Sequence, residues 1–358
     1  MSNALLDLLA DRGHLVADGA MGTNLFALGL ETGDSPELWN VEQAEKVASV
    51  HRGFLEAGSD IVLTNSFGGT EHRLKLHGAQ DRVRELNAAA ARICRGAVDR
   101  WREGTGKTCL VAGSMGPTGE LFAPLGPLTP ETGEAAFAAQ AEGLAEGGVD
   151  VLWIETMSAA DEMAAAVAGA ARTGLPVVAT MTFDTNARTM MGLTPAEFAA
   201  LAPTLAVAPS AIGANCGVGP AELAQTVLDL TEADPDAVVV AKGNCGIPQY
   251  VDGEIVYNGS PEAMAAYARI VRDAGARIVG GCCGSKPDHV RAIAEALADY
   301  VPGDRPTLDR ITAELGAPWS KAGRLSTHAP EGVRDEGAQN EGAQNEGGRR
   351  RGRRRRAG

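Results

Sequence analysis

Between residues 10 and 300 the chain repeats one grammar. Short apolar, β-branched runs alternate with longer Ala-, Leu- and Glu-rich segments of helical period, the pattern of parallel strands joined by crossover helices. Strands are expected at 14–18, 60–66, 108–114, 150–156, 176–183, 210–216, 237–244 and 276–282. Helices are expected between them, among them 42–58, 134–148, 261–275 and one that opens at Pro287. In EAGSDIVL, EGGVDVLW and DAGARIVG a glycine leads from helix to strand, as glycine caps at helix C-termini do. Eight β/α units over this length predict a single (β/α)8 TIM barrel, with a doubly wound open sheet as the competing arrangement.

Composition sets this pattern in a globular protein. The 358 residues are 44% hydrophobic and 22% charged, enough to bury a substantial core. No run of eighteen apolar residues occurs, and the opening MSNALLDLLADRGHL carries acids where a secretory signal would be basic and then apolar. A cytoplasmic protein is therefore expected. The net charge of −14 hides an asymmetry: RRRGRRRRAG at 349–358 holds seven arginines and no acid. Before it lies an imperfect EGAQN repeat without an aromatic, a composition that cannot bury enough surface to fold alone. The expected organisation is a barrel over 1–325 and a disordered tail over 326–358. The arginine run is a candidate for nucleic acid or anionic surfaces, but no RNA-binding module accompanies it, so a solvated extension is the favoured reading.

Candidate chemistry gathers where a barrel keeps its active site, at the carboxyl ends of strands. DGAMGTN follows the first strand, NSFGG the second, GSMGPTG the third, ETMS the fourth, FDTN the fifth, NCGVGP the sixth, KGNCGIP the seventh and GGCCG the eighth. Strands six and eight lie two apart around the ring, so Cys216 can face Cys282 and Cys283 across the mouth. Flanking glycines allow the backbone to leave the strand alternation so that both adjacent sulfurs turn inward. In a reducing compartment such a trio suits Zn2+, with three protein ligands leaving one position open, as catalytic sites do. The competing reading treats these cysteines as small core residues. Cys94 and Cys109, in a helix and at a strand start, are read as core, and Cys245 stays open.

DGAMGT, NSFGG, GANCGVGP and GARIVGGCCGSKPDHVRAI together resemble the motifs of the homocysteine S-methyltransferase family, over residues 10 to 300. That resemblance implies a zinc-dependent barrel whose metal ligands are Cys216, Cys282 and Cys283, with Asn244 as a candidate fourth. It also implies that Glu155 holds the amino group of homocysteine. The turn of Asp18, Gly19, Ala20, Met21 and Gly22 is expected to offer backbone N–H groups to the substrate carboxylate, which a small-residue turn can do as an anion nest. Zinc deprotonates a coordinated thiol, and the resulting thiolate attacks an activated methyl group.

The donor is expected to be small, because the pterin and cobalamin modules of a complete methionine synthase and a D-x-H-x-x-G cobalamin signature are not found in the sequence. ELWN, TNSFGGTEHRLKLHG, TMMGLTP and VAKGNCGIPQYVDGEIVY look most like bacterial betaine–homocysteine methyltransferases, which implies betaine as donor and Trp39 as an aromatic wall for its quaternary ammonium. Phe67 is placed to contribute. S-methylmethionine or a corrinoid protein is the alternative donor, and a homo-oligomer is compatible with the sequence. A different class also stays open: Lys242, ending strand seven, could form a Schiff base, making this an aldolase or lyase.

Overall fold

The structure, a computed structural model, describes residues 3–316 except 185, 247, 252 and 253, with side chains described outside 247–256. The tail expected over 326–358 lies outside the described residues. Eight parallel strands form the central sheet: β1 (Leu15–Val16), β2 (Ile61–Leu63), β3 (Leu110–Met115), β4 (Val151–Met157), β5 (Val177–Met181), β6 (Ala211–Cys216), β7 (Val239–Gly243) and β10 (Ala276–Gly281). Their order is β1, β10, β7, β6, β5, β4, β3, β2. The ring closes through a parallel bridge between Ala17 and Ile61, with the Asp60 N–H donating to Val16 O at 2.7 Å. This is the (β/α)8 TIM barrel expected, and closure excludes the open sheet.

Each expected strand is found, most of them shortened by a few residues at one or both ends, while β3 and β4 start one or two residues late and run one residue past the expected end. The expected helices appear as Ala44–Glu56, Pro130–Gly147, Pro261–Asp273 and Pro287–Leu297. The second begins earlier than its apolar period because Thr129 caps it, accepting from the Thr132 N–H, and Pro130 suits the first turn. The glycines before the fourth and eighth strands, and the one before β2, take φ values of 94°, 106° and 102°, a left-handed turn that glycine enters without a Cβ penalty. An antiparallel hairpin of β8 (Pro248–Val251) and β9 (Glu254–Tyr257) follows β7; the strand-and-helix grammar did not anticipate it.

Strand alternation sorts the core into two shells. Leu15, Leu63, Leu110, Val151, Trp153, Val178, Val240 and Ile278 fill the barrel interior, joined by Leu5 and Leu9 of the N-terminal helix Ala4–Arg12. The intervening positions, such as Val62, Val111, Ile154, Ala179 and Val279, pack outward against the helices. Followed two residues at a time toward the carboxyl ends, the interior series becomes polar: Ser114, Glu155, Thr180, Asn215, Lys242 and Cys282 all continue the inward parity. The strand period thus builds a polar layer on an apolar plug.

Candidate metal centre at the barrel mouth

The Sγ atoms of Cys216, Cys282 and Cys283 lie within 4.8 Å of one another, and those of Cys216 and Cys283 are 3.8 Å apart. Register explains the convergence: Cys216 on β6 pairs with Gly243 on β7, which pairs with Gly281 on β10. Cys216 has outward parity, yet its own φ is 63° and that of Gly217 is 81°. The turn inward is therefore made on the cysteine itself, a conformation costing a non-glycine residue about 1 kcal/mol or more. A tetrahedral zinc with sulfur ligands spaces them about 3.8 Å apart, so the donor set fits such an ion. For Cys216 the hydrogen bond with Cys282 lowers the thiol pKa, but contact with Cys283 and burial outweigh it and push it up to about 12. Thiolates this close repel, so a cation is what allows the set to ionise.

Asn244 is buried, with Nδ2 donating to Gly217 O at 2.6 Å and Oδ1 accepting from the Cys283 N–H at 3.0 Å. Both ends of its amide therefore brace the two loops that carry the cysteines. Cys245 has its N–H on Cys283 O at 2.9 Å and its Sγ 3.2 Å from Gly259 O, a fastening for the same loop. Cys94 and Cys109 are buried in the outer core as expected.

Glu155, two residues before the end of β4, accepts from Ser114 Oγ at 2.5 Å, and has its carboxyl pKa raised by burial, against the opposing pull of Lys242. Asp18 points the other way from a substrate turn: Oδ1 pairs with Lys242 Nζ at 2.8 Å and Oδ2 accepts the Leu63 N–H at 2.7 Å. Its backbone N–H goes to Ile61 O and that of Ala20 to Ser285 O. The N–H groups of Met21 and Gly22, in the first turn of the helix Met21–Ala27, have no acceptor further back in the helix and are donors this turn can offer. Gly19 is required by packing, since a Cβ there would sit 2.8 Å from the Phe54 ring.

Burial by itself would lower the Lys242 pKa, but the Asp18 and Glu155 carboxylates outweigh it and raise it. The polar layer so holds two carboxylates against one ammonium. Trp39 is not part of it: the ring lies in the outer core, 8% exposed, with its own chain's Lys46 Nζ 4.6 Å from the ring centroid. Phe67 is 38% exposed and packs against Gly116 beyond β3.

Two residues near the sulfurs escaped sequence reasoning. Asn215 donates to Thr156 Oγ1 at 2.7 Å and toward Cys282 Sγ at 3.8 Å. The Tyr257 hydroxyl is near enough to Cys283 to lower its thiol pKa, against larger opposing effects. Asn215 was within reach, because inward parity along 211, 213 and 215 marks it; Tyr257 was not, because the hairpin that presents it was not foreseen.

The profile of homocysteine S-methyltransferases matches residues 15–297. Methionine synthase of Mycobacterium tuberculosis is 33% identical over 309 residues, 82% of this chain and 25% of that one. The methionine synthase of Mycobacterium leprae is 32% identical over 320 residues, 86% of this chain and 26% of that one. The chain thus spans about a quarter of the length of these relatives. The metallated form of the Escherichia coli homocysteine methyltransferase MmuM superposes with a TM-score of 0.69 at 25% identity, covering 82% of this chain and 99% of that one. A closed barrel with cysteines converging at its mouth defines a class of metal-capable barrel proteins. Within that class, the chain belongs to the homocysteine S-methyltransferase family.

Proposed function

We propose that this protein transfers a methyl group from a small onium donor to the thiol of homocysteine, giving methionine, at zinc held by Cys216, Cys282 and Cys283. The observation that carries this reading is the three-sulfur cluster at the carboxyl end of the barrel. Zinc bound there would lower the pKa of the substrate thiol and so supply a thiolate at neutral pH. The chain's own residues do the positioning. Glu155 pairs with the substrate ammonium, which relieves the excess negative charge that Asp18 and Glu155 leave over Lys242. The N–H groups of Met21 and Gly22 take the substrate carboxylate. Asn244 holds the two cysteine loops in register.

Betaine is the donor we assign. The exposed Phe67 ring offers a face to the quaternary ammonium end of betaine. With Lys46 already on Trp39, the aromatic contribution falls to Phe67. In the transfer, the new S–CH3 bond forms as the N–CH3 bond of betaine breaks. The electron pair leaves with dimethylglycine, whose nitrogen takes up the proton that the substrate thiol released.

Methionine formation from homocysteine, measured with betaine, S-methylmethionine or methylcobalamin on native protein and on Cys283→Ala with zinc content recorded, tests this. Turnover with betaine by the native protein, and loss of both zinc and turnover in the variant, is the expected result. Turnover confined to S-methylmethionine or methylcobalamin would replace the donor while keeping the site. Native protein that neither takes up zinc nor transfers a methyl group from any donor would overturn the reading.

A further inference from the structure

Asn215 is 1% exposed, and its side chain uses its full hydrogen-bonding capacity. Oδ1 accepts from the Thr156 N–H at 2.8 Å and from Thr180 Oγ1 at 2.7 Å. Nδ2 donates to Thr156 Oγ1 at 2.7 Å and toward Cys282 Sγ at 3.8 Å. The Thr180 and Thr156 bonds settle which end of the amide is oxygen, since a flipped amide would aim N–H at N–H. Two residues that the amide restrains are in left-handed backbone: Thr156, which it bonds directly and which follows Glu155, has a φ of 64°, and Cys216, which follows Asn215, has 63°. Such positions persist where surrounding bonds over-determine them. Here the surrounding bonds converge on one amide.

We propose that Asn215 is a positioning residue that couples the amino-group carboxylate to the metal centre, by fixing the Glu155–Thr156 turn and donating an N–H···S hydrogen bond to the Cys282 sulfur. The inference rests on the zinc reading given above. A donor on a ligand sulfur withdraws electron density from it and fixes its lone pair, as partners just outside a metal's ligands do. The same amide holds Cys216 through the chain and Cys282 through space, so two of the three sulfurs share one restraint. Thr180, fully buried on β5, locks the amide from behind.

Asn215→Asp keeps the acceptor for the Thr156 N–H and Thr180, and places an oxygen where the donor to sulfur stood. Chelator competition without homocysteine should show zinc held about 10- to 100-fold more weakly than in the native protein. With Co2+ in place of zinc, the thiolate charge-transfer band should move to lower energy, because the sulfur has lost its donor. A merely structural weakening would lower affinity and leave the band of the bound ion where it was. Thr180→Val, isosteric and remote from the sulfurs, is the second variant and carries the test if Asn215→Asp does not fold; it should weaken zinc in the same direction by a few-fold. An unmoved band in folded Asn215→Asp, whether zinc is held as in the native protein or more weakly, would overturn the proposal, as would native zinc affinity in Thr180→Val. Failure of the native protein itself to take up zinc would instead sink the underlying reading of the site.

Discussion

At Lys242 one ion pair decides which chemistry the barrel mouth can run. A Schiff base needs a neutral amine with room to attack a carbonyl. Lys242 is 2% exposed, its Nζ is 2.8 Å from Asp18, and the two nearby carboxylates hold its pKa up. Borohydride reduction in the presence of pyruvate, read by intact mass, should therefore leave the chain unmodified; an adduct mapped to Lys242 would restore the aldolase or lyase reading. The partner of this lysine is 224 residues away in sequence, and no local pattern announces such a pairing. The cysteines were legible because strand ends and glycines flag them without knowledge of any distant partner. The surroundings of Trp39 were illegible for the same reason: Lys46 comes within 4.6 Å of its ring centroid only once the helix Ala44–Glu56 is packed.

At the scale of elements, the outer layer is held together by glycines that bring helix backbones together. A Cβ on Gly169 would lie 2.6 Å from Ala138 N and 2.8 Å from Glu134 O, so the helices Ala160–Ala171 and Pro130–Gly147 pack backbone to backbone. Gly147 packs likewise on Ala88 and Ala91 of the helix Val83–Thr105. Alanine in a helix interior ordinarily stabilises relative to glycine by about 0.5–1 kcal/mol. Gly169→Ala should reverse that sign and cost about 1–3 kcal/mol, because backbone atoms rather than a flexible side chain must give way. Gly104→Ala, in the last turn of the helix Val83–Thr105, where a Cβ meets nothing within 4 Å, should carry no such cost. Urea denaturation of the two variants checks both, and a gain at Gly169 would refute the close packing. Eight strands and their helices were readable because each repeats one pattern against the same sheet. The hairpin broke the grammar, although the Asp-Gly pair at 252 and 253 is a turn signal in its own right.

For the whole molecule, acid stability depends on a histidine far from the chemistry. His51 is fully buried in the helix Ala44–Glu56, neither ring nitrogen has a hydrogen-bond partner among the described residues, and burial lowers its pKa from 6.5 to about 4. Between these values the unfolded chain binds a proton that the folded chain refuses. Stability is then fully present above about pH 6.5 and is lost as pH falls toward 4, by about 3 kcal/mol for a shift of this size. Buried carboxylates such as Asp60 and Glu162, raised by burial, act with the opposite sign, so the native profile alone cannot isolate the histidine. The difference between the native protein and His51→Leu can. Both should be unfolded in urea with chelator present, so that metal binding does not add its own pH dependence. That difference should stay flat above pH 6.5 and swing toward the leucine variant by about 3 kcal/mol near pH 4. A difference that does not change with pH would mean that His51 finds a proton partner in the folded chain, and that the core around it is less dry than its burial implies.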